Sequence, residues 1–147
     1  MRAKRLGMAS HSIVVEPGAP EADSRAVRVG LYEYNKAATG LAIHSFGAYL
    51  RDGEGQVSGG VLGRIWDNWL FVATVWIADE LRGRGYGREL MLQVETYAKE
   101  RGCRHAHLDT FSYQARPLYE KLGYTLFGQL DDYPQGHTKY FMKKELG

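Results

Sequence analysis

The chain has 147 residues, 44% of them hydrophobic, enough for one domain whose core needs no disulfide or metal staple. Its 19 basic and 17 acidic residues give a formal net charge of +2, which makes no general electrostatic case for a nucleic-acid partner. The single cysteine, Cys103, excludes an internal disulfide and a cysteine metal cluster, and no apolar run reaches the length of a membrane span.

Residues 1–12 are basic, with Arg2, Lys4 and Arg5, and lack the apolar core of a secretory signal. They read as a disordered leader before a single domain over 13–147. Ile13-Val14-Val15 reads as a short strand, ended by Pro17, Gly18 and Pro20. Residues 21–36 read as a helix with Val27, Leu31 and Tyr34 on one face, weakened at Val29-Gly30. Residues 41–50 form the next expected strand. Arg51-Asp52-Gly53-Glu54-Gly55 turns into a strand over 56–65, where Gly59-Gly60 marks a bulge or a close approach of backbones. Asp67-Asn68 turns again into 69–77, an almost wholly apolar run as expected of a buried strand. These three strands form an antiparallel meander. After a glycine-rich turn, Leu90, Val94, Tyr97 and Ala98 share one face of a helix that ends near Arg101, with Gly102 as terminator. Cys103 at that end reads as a buried thiol. Residues 105–110 form a strand. A short helix follows, beginning near 114–116 so that Pro117 falls in its first turn, with Ala115, Leu118, Tyr119 and Leu122 on one face and Gly123 as the stop. Residues 124–130 and 138–143 are the last strands, joined by a loop over 131–136. The order is that of an α+β chain with a single mixed, mostly antiparallel sheet flanked by helices. Its strand–turn–helix–strand unit requires a crossover and a parallel pair.

The turn between the buried strand and the helix carries the chemistry. Gly83, Gly85 and Gly87 alternate with Arg84, Tyr86 and Arg88, after Arg82. Glycine permits positive φ and lets a ligand approach the main chain. The amides of residues 83–88 then converge at the positive end of a helix dipole, which is an anion cradle, and the arginines add charge. The spacing does not fit a dinucleotide fingerprint: counting from Gly83 its third glycine falls on Arg88, and from Gly85 on Leu90. The Gly-Lys-Ser/Thr of a P-loop is absent. An ordinary strand-to-helix turn with exposed arginines is the plain alternative.

The pattern Arg82-x-x-Gly85-x-Gly87 after a strand resembles the acetyl-CoA pyrophosphate loop of the GCN5-related N-acetyltransferase (GNAT) family. A second motif, Ala115-Arg116-Pro117-Leu118-Tyr119-Glu120-Lys121-Leu122-Gly123-Tyr124, resembles that family's Asn-x-x-Ala-x-x-Leu/Phe-Tyr-Glu-Lys-x-Gly-Phe/Tyr. The likeness is strongest over 69–125, and the element order also matches. It departs at Ser112, where Asn is common, so that the amide contact to the pantetheine arm falls to a hydroxyl.

The resemblance implies the acyl-CoA N-acyltransferase fold and a transferase, an N-acetyltransferase using acetyl-CoA as cosubstrate and no metal. Arg82, Gly83, Arg84, Gly85, Tyr86, Gly87 and Arg88 would hold the diphosphate. Val75, Trp76 and Ile77 would pair with the pantetheine amides along a strand splayed from its parallel neighbour, with a backbone donor near Trp76 steadying the thioester oxygen. Tyr119 would be the general acid. A phenol, pKa about 10, can protonate a departing thiolate, pKa about 8.5, as the bond breaks. Read from its own helix alone, Tyr119 is first a core aromatic on the apolar face; the cradle tips the reading to the acid.

Neutralising a lysine-like amine at pH 7 costs roughly 4.6 kcal/mol, so a base or water chain should help. Relatives often carry a carboxylate on the strand leading to the cradle, but Phe71-Val72-Ala73-Thr74-Val75 has none. Asp109 at a strand end and His137 in a loop are the candidates, beside backbone-relayed water; Asp131-Asp132 reads first as a turn. The acceptor is a small-molecule or peptide amine, and Tyr32, Tyr34, Tyr133 and Tyr140 are aromatic candidates for its cleft. No nucleic-acid or membrane partner is expected, a homodimer stays open, and the setting is cytoplasmic. The competing expectation is a catalytically silent CoA-binding sensor or interaction module.

Overall fold

The computed structural model describes residues 4–6 and 10–147; the remainder of the leader expected over 1–12 lies outside the described residues. The chain divides into two compact units, 1–41 and 42–147.

In the first unit, β1 (Lys4–Leu6) pairs antiparallel with β2 (His11–Ile13). The strand expected at 13–15 is therefore shifted toward the N-terminus. Ladder bonding uses backbone groups that every residue carries, so it leaves no apolar signature to read. Helix α1 (Glu21–Thr39) starts after Pro20 with Glu21 and Asp23 in its first turn, where carboxylates suit the dipole, and stops at Gly40 with φ +73°. Gly30 does not interrupt it.

The second unit holds a six-stranded sheet in the order β3 (His44–Arg51), β4 (Val57–Trp66), β5 (Trp69–Ile77), β6 (His105–Phe111), β8 (Thr138–Glu145), β7 (Thr125–Asp131). Only β5 and β6 run parallel; every other neighbouring pair is antiparallel. This is the mixed, mostly antiparallel sheet expected from sequence. Helix α2 (Tyr86–Glu100) is the crossover between β5 and β6, preceded by a 3-10 turn, Asp79–Leu81. Helix α3 (Arg116–Lys121) has Pro117 in its first turn, and Gly123 beyond it takes φ +96°.

The core lies between one face of this sheet and helices α2 and α3. It joins Val61, Ile65, Leu70 and Val72 of the meander to Leu90, Met91, Val94 and Ala98 of α2, and to Tyr119 and Leu122 from the α3 region. Along β4, Gly59, Val61, Gly63 and Ile65 are buried while Leu62, Arg64 and Trp66 are exposed, the period of two that a one-sided strand needs. A Cβ on Gly59 would meet Trp76 O at 2.9 Å, and one on Gly60 would meet Ala48 O at 2.7 Å. The glycine pair thus marks a close approach; the bulge sits just beyond it. Leu62 pairs with Thr74 and Gly63 with Val72, which leaves Ala73 as the extra residue on β5.

The feature that positions the site is a gap inside the sheet. Parallel pairing of β5 with β6 runs from Trp69 opposite His105 to Val72 opposite Leu108 and stops. Yet β5 stays paired with β4 as far as Ile77, and β6 with β8 as far as Phe111. Residues 73–77 and 109–111 therefore diverge, and the bulge at Ala73 falls where they part.

Candidate active site

The gap opens into a cavity of about 790 Å³ bounded by β5, the glycine turn, the end of β6 and α3. Its backbone polarity follows from strand alternation. The Ala78 amide donates to Ser58 O, so Ala78 and Trp76 turn their peptide groups toward β4. Val75 and Ile77 then present theirs to the gap, where no strand meets them. Of the expected segment, Trp76 lines the cavity but its main chain faces the other way.

At one end of the gap, Gly83 and Gly85 take φ +74° and +87°, and a Cβ on either would meet nothing within 4 Å. Gly85 is the N-cap of α2, with no side chain capping the helix. The first loop–helix bond is Glu89 N–H to Gly85 O at 3.0 Å. The amides of residues 83–88 have no backbone acceptor among the described residues. Six donors thus stand unspent at a helix N-terminus, the arrangement that binds anions. Gly87 serves packing instead. A Cβ there would lie 3.3 Å from Leu118 Cδ2, so this glycine sets the approach of α2 to α3.

The three arginines divide. Arg82 braces the turn, donating from Nε to Ile77 O at 3.0 Å and pairing with Asp79 at 3.1 Å. Arg84 and Arg88 are exposed and form no ion pair among the described residues.

Tyr119 is buried and lines the same cavity, and its side chain makes no hydrogen bond among the described residues. Burial, and secondarily the Asp109 charge, push its phenol up to about 12. Asp109 is the only carboxylate among the lining residues. It faces Lys139 Nζ at 3.8 Å.

Ser112 and His137 are not among the lining residues. The Ser112 hydroxyl accepts from Thr138 N–H at 3.0 Å and lies 3.4 Å from His137 Nδ1, so it ties the end of β6 to β8. His137 is exposed, its ring edge-on to Tyr113 at 4.9 Å. Asp132 holds φ +57° and accepts from Gly136 N–H at 2.8 Å, as a turn residue does. Of the aromatics expected in a cleft, Tyr140 lies under the Arg116 guanidinium at 4.3 Å, Tyr133 stacks on Phe111 but is not a lining residue, and Tyr32 and Tyr34 belong to the first unit. The cavity is lined instead by Phe111, Tyr113 and Gln114, which sequence reasoning passed over. Gln114 Oε1 accepts from Phe111 N–H at 3.0 Å and fastens the turn after β6. The available signal was the pair of aromatics directly following the strand that carries Asp109.

Comparison with known proteins shows the family and the fold. The pattern of the acetyltransferase (GNAT) family matches residues 13–124. Blasticidin-S acetyltransferase of Streptomyces morookaense is 33% identical over 102 residues, covering 69% of this chain and 75% of that protein. The crystal structure of an acetyltransferase from Agrobacterium tumefaciens superposes with a TM-score of 0.84 at 28% identity, over 90% of this chain and 98% of that one. A streptothricin acetyltransferase from Bacillus anthracis, solved with acetyl coenzyme A, shares the fold at a TM-score of 0.60 and 18% identity, over 69% of this chain and 62% of that one.

Proposed function

Because the chain belongs to the acetyltransferase (GNAT) family and is an N-acetyltransferase, we propose that it moves an acetyl group from acetyl-CoA to the primary amine of a small molecule by direct attack, with Tyr119 as general acid. The observation that carries this is one cavity joining the unspent amides of the glycine turn, a break in the sheet and a buried phenol. The blasticidin-S relative supports a small-molecule acceptor.

The chain's own groups suit the cosubstrate. The amides of the glycine turn, with Arg84 and Arg88, match a diphosphate, and the peptide groups of Val75 with the N–H of Ile77, whose carbonyl already accepts from Arg82, match the amides of a pantetheine arm. Acetyl-CoA supplies the acyl group as a thioester. In the transfer a C–N bond forms and the C–S bond breaks. The ammonium loses its first proton to Asp109, directly or through water, and so to solvent; after attack the nitrogen sheds a second, Tyr119 gives its own to the leaving sulfur, and that second proton restores Tyr119 by way of solvent, so that one proton is released overall. A backbone N–H of Val75 or Ile77 is the donor for the oxygen that gains charge. The missing carboxylate on β5 is thereby replaced from across the gap.

The test is thiol release measured with DTNB over a panel of amines, with acetyl-CoA binding followed by calorimetry in wild type and Tyr119→Phe. Binding retained with turnover strongly reduced supports the reading. Equal turnover in the two proteins would remove Tyr119 as the acid.

A further inference from the structure

One wall of the cavity is main chain, the peptide groups of β5. The opposite wall, from the end of β6 to α3, is built from side chains, and those of Leu108, Phe111, Ala115 and Leu118 offer no polar group. Gln114 is the only carboxamide among the lining residues. Its oxygen is spent: Oε1 accepts from Phe111 N–H at 3.0 Å and from the Thr110 hydroxyl at 3.3 Å. The Phe111 N–H fixes the sense of the amide, because only an acceptor can face a backbone donor. Nε2 is left over, and its N–H groups have no acceptor among the described residues.

The two bonds also hold the side chain in place. Thr110 is 2% exposed, so one of the anchors is set in the core. A long side chain already pinned at its oxygen has given up rotamer freedom that binding would otherwise take, and its donor stands ready.

Ser112, the residue expected to reach a pantetheine arm, is turned away, its hydroxyl accepting from Thr138 N–H at 3.0 Å. The polar groups of such an arm that do not meet β5 face the wall of side chains. A carbonyl left there without a donor loses a hydrogen bond that water had supplied. An ionised Asp109 can only accept. The proton of Tyr119 is committed to the sulfur in the reading above. Tyr113 is 57% exposed and makes no hydrogen bond among the described residues to fix its hydroxyl. Gln114 Nε2 is the uncharged, anchored donor that remains.

We infer that Gln114 binds the acyl carrier: from the wall facing β5, its Nε2 donates to an amide carbonyl of the pantetheine arm, in the role that Ser112 leaves open. This rests on the acetyltransferase reading above.

Calorimetry tests it by comparing CoA with phospho-ADP, the nucleotide of CoA cut free of its arm, in wild type and Gln114→Glu. The variant keeps an oxygen for Phe111 N–H and Thr110 and loses only the donor. At about 0.15 M salt the added charge is screened beyond about 8 Å. The Kd for CoA is expected to rise about tenfold, as for a carbonyl left unpaired, while that for phospho-ADP stays within about twofold of wild type. In the wild-type chain, CoA shifts the side-chain amide resonances of Gln114 and phospho-ADP does not. That measurement stands even if the variant does not fold. Unchanged CoA binding in a folded variant, equal weakening of both ligands, a loss confined to the KM of the amine, or an unmoved Gln114 amide would each overturn the inference. A wild-type chain that binds no CoA would instead sink the acetyltransferase reading, and the inference with it.

Discussion

At Tyr119, burial is the leading cause of a phenol pushed up to about 12, with the charge of Asp109 behind it. The hydroxyl therefore stays protonated throughout the physiological range and is available as a donor at every pH where the enzyme works. The same burial makes it a weaker acid than free tyrosine. In the proposed role of Tyr119 as acid, efficient transfer requires that the sulfur be protonated in an equally dry place, where a thiolate is raised too. Tyr119→Phe is expected to lower kcat about 100-fold or more, with the calorimetric Kd for acetyl-CoA changed by less than about threefold. The pH profile of kcat should show no loss near pH 10 assignable to this residue. The glycines separate by conformation. Gly85→Ala places a Cβ at φ +87° and should cost about 1 kcal/mol in a denaturant titration. Gly87→Ala lies inside the helix without positive φ and faces a flexible leucine terminus, so its stability should stay within about 1 kcal/mol of wild type. Tyr124 is buried with its hydroxyl unpartnered. Tyr124→Phe removes a polar group that has no bond to lose, and is expected to be neutral or stabilising by up to about 1 kcal/mol.

Between elements, the contact with the sharpest consequence joins α2 to β8. Glu95 is 4% exposed on the core face of α2, and its carboxylate is met by Lys144 Nζ. A helix face that otherwise buries Leu90, Met91, Val94 and Ala98 tolerates this carboxylate because the partner strand delivers a cation beside it. Lys144→Met would leave Glu95 buried and uncompensated. A loss of about 3 kcal/mol is expected in chemical denaturation, at the lower end for buried pairs because Lys144 keeps partial solvent contact. Replacing both, with Glu95→Leu added, should recover most of that loss. Helical period and the glycine stops at Gly102 and Gly123 made α2 and α3 legible in the sequence, as the apolar run made β5. The partner of Glu95 was not legible, since residues 49 apart in the chain meet only through the fold.

For the molecule as a whole, alkaline pH is the weak side. Burial raises the phenols of both Tyr119 and Tyr124, so the folded chain keeps protons that the unfolded chain releases. The unfolded state binds fewer protons above about pH 10, and stability should fall as pH rises from there, through about 12 for Tyr119. Midpoints of urea unfolding between pH 8 and pH 11 would show it. Cys103 is 4% exposed and its thiol is raised, first by burial and then by the Asp67 charge. It should not react with DTNB in the native chain and should react fully after denaturation. The sequence by itself determined the element order from the first long helix onward, the mixed sheet, the glycine-rich turn and the helix that carries Tyr119, because each is a local pattern of period, turn chemistry or spacing. Tertiary structure alone decided the rest. It turned the peptide groups of Val75 and Ile77 rather than Trp76 toward the gap, since that depends on which side of β5 faces β4. It brought Asp109 into the cavity and tied Ser112 to Thr138 instead. It also seated Lys139 against the rings of Phe111 and Tyr133, which depends on strand register and on where two loops come to rest, and no short window of residues encodes either.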